Sequence, residues 1–353
     1  VKVEHIEAHN LIFWPVILHL MLDDGHNYTK TKDRYYRTGL IRLRQAVQAW
    51  VRERVHAPTP YFVLQLGDLI DGHAASSALG SEETLKRALK EFEPLQDCVV
   101  HHCVGNHELY NNACRDYWKR YYRSTREHEP PGASSTPPQA PSTPRRALYY
   151  AFTPHPKFCF VKLDTYDVSI LGSEPESTER ADAERYLQKN PNKDRNSPLG
   201  LKGLDRRFVL YNGGVGSAQL SWLRKTLQAA GIRGCEHVVI FSHIPLHPDA
   251  CSPECLLWNY AEILQILAET PGLVKVCLSG HAHEARVIRD GSSGIVHYVL
   301  DTPLEQRPPK QNAYSMARVY TDQIVIRGQG ANRDVQCQLT TMNDIRCDPT
   351  QKT

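Results

Sequence analysis

Long apolar runs are missing from this 353-residue sequence. The longest candidate, residues 11–22, is broken by Pro15 and His19 and falls short of the roughly 18 residues that a membrane-spanning helix needs. It has neither a basic leader nor a small-residue cleavage site, so it reads as buried strand and not as a signal peptide. No membrane partner is expected. Charge of one sign is equally scarce, with 42 Lys and Arg against 39 Asp and Glu and a formal net charge of +3. The nearest approach to a basic run, residues 34–44, is interleaved with Tyr35, Tyr36, Leu40, Ile41 and Leu43, the pattern of one solvated helix face. Nucleic acid is therefore not an expected partner either. Zinc-finger cysteine spacing is lacking too: Cys251 and Cys255 form a C-x3-C pair, and no second pair follows. Most of the ten cysteines sit in apolar surroundings as small hydrophobes, the usage of a reducing compartment. The glycosylation match Asn27-Tyr28-Thr29 is read as unused, and a cytoplasmic location is expected.

Short apolar runs alternate with helical periodicity, which predicts an α/β fold. Residues 61–66 (YFVLQL), 98–104, 158–163, 237–241 and 274–279 are rich in β-branched or aromatic residues with little polar alternation, as strands covered on both faces require. Helices are predicted over 38–54, from Ser81 as N-cap, over 218–230 with Ser217 as N-cap and Gly231 as stop, and over 254–269. A strand at 295–300 and a hairpin from 317–320 and 323–327 follow, and the last twenty or so residues show no period. Residues 128–146 (HEPPGASSTPPQAPSTPRR) cannot bury a core and read as a disordered surface insertion.

Four short motifs share one kind of place. Gly67-Asp68 with Asp71-Gly72, Gly105-Asn106-His107-Glu108, Ser242-His243, and Gly280-His281-Ala282-His283 each lie just beyond a predicted buried strand. In open α/β sheets that edge is where ligands bind. Asp68, Asn106, His243, His281 and His283 offer carboxylate, amide and imidazole ligands without thiolate, a set suited to Mn2+, Fe or Zn2+ and less to Mg2+. The Asp68 carboxylate can bridge two cations, the arrangement that clamps a phosphoryl group. Glycine before Asp68, Asn106 and His281 permits a sharp turn at each. A lone histidine after a strand is ordinarily a core or surface residue, and His101, His102, His155, His237 and His247 are read that way.

The segments GDLIDG, GNHELY, FSHIPLH and GHAHE resemble the calcineurin-like metallophosphoesterase signature. Arg34-Tyr35-Tyr36-Arg37, residues 162–172 (KLDTYDVSILG), Asn196-Ser197-Pro198, Asn212-Gly213-Gly214 and Leu257-Trp258-Asn259-Tyr260 are similar, within that superfamily, to the manganese-dependent ADP-ribose/CDP-alcohol diphosphatases. The likeness runs from about Asp24 to about Asn332. It implies a four-layer αββα sandwich of two mixed sheets flanked by helices. It also implies hydrolysis of ADP-ribose, CDP-choline and related nucleotide diphosphates to a nucleoside monophosphate, with two divalent ions, Mn2+ foremost. By motif position, Asp68, Asn106, His243 and His281 would hold one ion, Asp68 and His283 would reach the other, and His107 would donate to the phosphate or the leaving oxygen. Arg115, Asn212, Gly213 and Trp258 are candidate substrate contacts, with Arg115 equally readable as a structural ion pair. The expected organisation is an atypical segment 1–23, a metallophosphoesterase domain 24–332 carrying the insertion 128–146, and a tail 333–353, in a monomer.

The N-terminal end departs from the family. Its opening strand, matched here to residues 14–22, should close in Asp-x-Gln or Asp-x-His, yet the corresponding positions hold Val16 and Leu18. Asp23 and Asp24 match a separate acidic pair. The first ion's site is thus expected to be empty or weakly held. Two explanations compete: residues up to about Met21 come from a wrongly chosen exon or start, which the opening Val1 favours, or the chain is a metal- and nucleotide-binding protein that has lost turnover. Two other enzyme readings fit worse. A serine/threonine phosphatase wants arginine where Gly72 stands, and a purple acid phosphatase wants tyrosine where Asp71 stands.

Overall fold

The computed structural model describes residues 9–14, 24–27, 29–54, 62–95, 98–122, 148–307, 312–320 and 322–339. Its strands in chain order are β1 (His9–Trp14), β2 (Gly25–His26), β3 (Asp33–Arg34), β4 (Phe62–Gln65), β5 (Val99–His102), β6 (Tyr150–His155) and β7 (Phe158–Lys162). The second half adds β8 (His237–Phe241), β9 (Val274–Ser279), β10 (Arg286–Arg289), β11 (Val296–Val299), β12 (Ala313–Val319), β13 (Gln323–Gly330) and β14 (Val335–Gln338). The helices are α1 (Gly39–Arg54), α2 (Ser81–Lys90), α3 (Asn106–Asn111), α4 (Arg115–Tyr122), α5 (Thr178–Leu187), α6 (Ser217–Ile232) and α7 (Tyr260–Ala268).

Two six-stranded mixed sheets form the centre, ordered β14-β13-β12-β1-β4-β5 and β10-β11-β9-β8-β7-β6. Parallel pairing runs through β1-β4-β5 in the first sheet and β7-β8-β9-β11 in the second. The alternation of strand side chains explains the layering. Phe62 and Leu64 of β4 join Phe158, Phe160, Phe241, Val276 and Tyr298 of the second sheet in a core between the sheets. Val63, one residue out of phase, turns instead to the helix side with Leu43, Val47 and Trp50 of α1. Complete burial of such a side chain contributes about 1.5–3 kcal/mol, so both faces of β4 are worth covering. This is the layered α/β arrangement expected from the sequence.

The five predicted buried strands appear as β4, β5 and β7, trimmed at their ends, and as β8 and β9 with the predicted bounds. The described part of the opening strand is β1, with Leu11 opposite Phe62 and Trp14 opposite Gln65, and it meets the expected span 14–22 at Trp14. Residues 15–23, including Val16 and Leu18, lie outside the described residues, as does the insertion 128–146. The helix expected over 254–269 begins only at Tyr260. Before it, the backbone N–H groups of Leu257 and Trp258 donate to Pro245 and Gly213 carbonyls, and the Asn259 amide pairs with both backbone groups of Val215, so these residues are tied laterally. Finally, the first sheet takes in strands on both sides of the expected 24–332 boundaries. β1 sits between β12 and β4, and β14 pairs with β13, its four residues too few to betray a period in the sequence.

Candidate active site

The parallel strands β4, β5, β8 and β9 all release the chain at their C-terminal ends into the four motifs. The turn after β4 holds Gly67 and Asp68 both at positive φ, 94° and 57°. Left-handed backbone at a non-glycine residue persists only where its surroundings impose it. Here Glu108, fully buried, does so: one carboxylate oxygen accepts from Asp68 N at 2.7 Å and Gly105 N at 2.7 Å, the other from Leu69 N at 2.5 Å and Tyr122 Oη at 2.9 Å. From the other side Gln65 Nε2 donates to the Gly67 carbonyl at 2.8 Å. A Cβ on Gly67 would collide with the His243 ring, and one on Gly105 with the Asp68 carboxylate and His243, so glycine is required at both close approaches. His281 and His283 are also left-handed, at φ 65° and 53°. Strain of this kind gathers at functional sites.

These turns aim four groups at one point. His243 Nε2 lies 3.3 Å from Asp68 Oδ2, 3.3 Å from Asn106 Oδ1 and 3.1 Å from His281 Nδ1. The far side of each ring is already committed. His243 Nδ1 meets the Leu66 carbonyl at 2.6 Å, and His281 Nε2 meets Asn212 Oδ1 at 2.8 Å. Both contacts need a ring N–H, which leaves the inward nitrogens as lone pairs. Two imidazole lone pairs, an amide carbonyl and a carboxylate thus face one another, and a single proton cannot satisfy all of them. Electrostatics reflects the crowding. Burial disfavours the Asp68 anion, but His243 and His107 outweigh it and hold the carboxyl well below its usual range. Burial likewise opposes charge on His243, yet Asp68 raises its pKa, whereas burial and the neighbouring His243 press His281 well below the ordinary value. Nitrogen and oxygen donors so placed fit a divalent transition metal. Asp68, His243 and His281 each offer an atom within 4.8 Å of the others.

A family model described as calcineurin-like phosphoesterase matches residues 39–285. The chain belongs to the calcineurin-like phosphoesterase family. It is 37% identical over 316 residues to a Xenopus tropicalis protein named manganese-dependent ADP-ribose/CDP-alcohol diphosphatase, covering 89% of each chain. A Mus musculus protein of the same name is 38% identical over 312 residues, 88% of this chain and 87% of that one. A dimetal phosphatase from Danio rerio, 33% identical, superposes with a TM-score of 0.81 over 95% of this chain and 100% of that chain. The chain is a hydrolase with the metallophosphoesterase fold.

Against the family pattern, the remaining site residues divide. His107 follows Asn106 at the start of α3, its side chain 14% exposed, with Nδ1 3.1 Å from Asp71 Oδ2. Burial lowers its pKa, but Asp71 and Asp68 overcome this and raise it. The Gly72 N–H also reaches Nδ1, at 3.0 Å, so Nδ1 faces Asp71 when protonated and Gly72 when not. His283 stands outside the four-donor cluster: its Nδ1 is 2.8 Å from Glu305 Oε1, which a glance at the motifs gives no reason to expect. Burial would raise the Glu305 carboxyl, but His283, Lys32 and Arg34 hold it down to about 2.

Of the four candidate substrate contacts, Asn212, Gly213 and Trp258 are buried and Arg115 is half-buried. Asn212 is wholly buried: beyond its bond to His281, its Nδ2 donates to the Arg207 and Glu254 carbonyls at 2.9 Å each. Gly213 is buried against Thr165 and Tyr166, and Trp258 packs with Val168, Leu187 and Phe208. Arg115 pairs with the buried Asp164 carboxylate and donates to the Tyr166 carbonyl at 2.9 Å. The structural ion pair weighed for Arg115 is the arrangement present. Tyr166, missed in the sequence, has its hydroxyl 2.9 Å from the Tyr211 carbonyl, to which it donates, and 3.3 Å from Asn106 Oδ1, so it packs beside the four-donor cluster. Its place beside the site follows only from the loop after β7.

Proposed function

We propose that this chain hydrolyses the diphosphate bond of ADP-ribose, CDP-choline and related nucleotide diphosphates, releasing a nucleoside monophosphate. The observation that carries the reading is the convergence of Asp68, Asn106, His243 and His281 beyond four parallel strands. Relatives covering most of the chain bear that activity in their names. These four residues would hold one divalent ion, Mn2+ by the relatives' names, with His283 and Asp68 reaching toward a second. When bound, such an ion supplies positive charge against a phosphoryl oxygen and lowers the pKa of water.

The protein's own part follows from the geometry. Asp68, its turn held by Glu108, and Asn106 set the position of the phosphoryl group. Water oxygen joins phosphorus and releases a proton to solvent as the bridging P–O bond breaks, the departing oxygen takes a proton from His107, and His107 regains one from solvent. Asp71 supports that role by favouring the protonated imidazole, whose other nitrogen remains for the substrate. A nucleotide, and not nucleic acid or a membrane, suits a chain of balanced charge in which no helix among the described residues is long and apolar enough to cross a bilayer. We extend the reading to a monomer and to a cytoplasmic location, the latter in keeping with the free state of the described cysteines.

A second reading, a metal- and nucleotide-binding protein without turnover, draws on Val16 and Leu18 standing where the family carries two ligands. The deciding experiment follows AMP release from ADP-ribose with added Mn2+ against a chelated blank. Mn2+-dependent release supports hydrolysis by the chain as it stands. No release, with activity appearing in the double variant Val16→Asp, Leu18→Gln, assigns the loss to the N-terminal ligands. No release from either, with retained nucleotide binding, establishes the second reading.

A further inference from the structure

We infer that Glu305 is the positioning residue for His283, fixing it as the Nδ1–H tautomer so that Nε2 is presented to a cation. The inference rests on the proposed metal-dependent function, and it adds a residue from outside all four motifs. Glu305 closes the 3-10 turn Pro303–Glu305 after β11, 22 positions from His283, with its side chain only 7% exposed. Its Oε1 lies 2.8 Å from His283 Nδ1. A carboxylate is acceptor-only, so this contact requires the proton on Nδ1 and, in the neutral ring that a cation needs as ligand, leaves the lone pair on Nε2. An outer carboxylate of this kind also makes an imidazole a stronger ligand.

The turn is held from several directions, as a positioning element requires. Thr302 Oγ1 accepts from Leu304 N at 3.2 Å, and Gln306 Nε2 donates to Asp301 Oδ1 at 3.1 Å. The buried Arg42 guanidinium donates to the Pro303 and Gln306 carbonyls, and Tyr35 N donates to the Leu304 carbonyl at 2.8 Å. The β2–β3 hairpin then supplies two cations to the carboxylate, Lys32 Nζ at 3.1 Å and Arg34 Nε at 3.5 Å. Lys32 Nζ also donates to the His283 carbonyl at 3.3 Å. With its charge balanced by the hairpin, Glu305 can orient the histidine without itself being drawn to the cation. His283 needs such restraint, because its backbone is left-handed at φ 53° and, among the described residues, Glu305 is the one hydrogen-bond partner of its ring.

The test uses the whole chain and two readouts taken without substrate. The ring-nitrogen NMR signals of His283, assigned by difference with a His283→Asn variant, report its tautomer. Mn2+ titration followed by electron paramagnetic resonance reports affinity. The wild type is expected to show the Nδ1–H form. Glu305→Leu is expected to lose that form and to weaken Mn2+ binding by about 10–100-fold, with Glu305→Gln, still an acceptor, recovering the tautomer. Should Glu305→Leu fail to fold, Glu305→Asp decides, since its shorter side chain withdraws the carboxylate from the ring while keeping the charge for Lys32. A tautomer unchanged in the deciding variant, or a Mn2+ affinity within twofold of wild type, overturns the inference. A wild type that binds Mn2+ yet releases no AMP defeats the proposed hydrolysis and leaves both readouts to judge Glu305 independently.

Discussion

Replacing Glu108 by glutamine separates what holds the Asp68 turn from what performs chemistry on it. The carboxylate takes four donors, three backbone N–H groups and the Tyr122 hydroxyl, at 2.5–2.9 Å. A glutamine has one acceptor oxygen. Its best placement gives that oxygen to Asp68 N and Gly105 N and sets the amide nitrogen toward Leu69 N and Tyr122. The tyrosine can turn to accept, but the Leu69 N–H is left facing another donor. An orphaned buried donor costs about 1–3 kcal/mol, and loss of the charged acceptor weakens the bonds that remain. Glu108→Gln is therefore expected to lower unfolding free energy by about 2–4 kcal/mol, read from urea midpoints at constant m. Tyr122→Phe removes one bond to a charged group and leaves every backbone donor satisfied, so about 1–2 kcal/mol is expected. The order of the two variants is the sharp part. If Glu108→Gln lies within about 0.5 kcal/mol of wild type, or is milder than Tyr122→Phe, then the left-handed turn does not depend on this carboxylate.

Asn212→Leu keeps the buried volume but removes the acceptor for His281 Nε2, so Mn2+ affinity should fall by about 10–100-fold, and equal affinity by calorimetry would exclude the amide as that ring's anchor. His107→Gln should reduce kcat by about 100–10,000-fold, with Mn2+ affinity changed far less, because the hydrogen bond from His107 to Asp68 runs through the backbone N–H, which the variant keeps. Acid should destabilise the fold through its core histidines. Burial, aided by Lys162, lowers His101 and His102 from 6.5 to about 3, and burial lowers His297 to about 3 and His237 to about 4. The unfolded chain therefore takes up these protons first. Stability is full above pH 6.5 and drops as pH falls toward 3, each group contributing up to about 1.4 kcal/mol per pH unit. Urea midpoints between pH 7 and 4 check this, and His102→Gln should flatten the slope, whereas an unchanged slope would mean that His102 is not protonated on unfolding.

The sequence by itself determined the strands and the ends from which the chemistry leaves. Runs such as YFVLQL and HVVIF, apolar on both faces, have no stable place except inside a covered sheet. A polar or histidine-bearing motif straight after such a run must then emerge at a strand end. Local rules therefore sufficed to put Asp68 and Asn106 at the C-terminal edge of one sheet and His243 and His281 at that of the other, and the packing of the two sheets brought the four together. The tertiary structure decided what no spacing encodes. Asn212 serves His281 from 69 residues away, Tyr166 comes to lie beside Asn106 across 60, and Glu305 answers His283 from a turn with no motif of its own. Asparagine, tyrosine and glutamate at such positions look in sequence like any loop residue. Only folding buries them, and a buried polar atom must find a partner, whichever part of the chain supplies it. For the same reason the partners of Arg115 and Trp258, Asp164 and the cluster of Val168, Leu187 and Phe208, come from distant parts of the chain and are set by the tertiary structure.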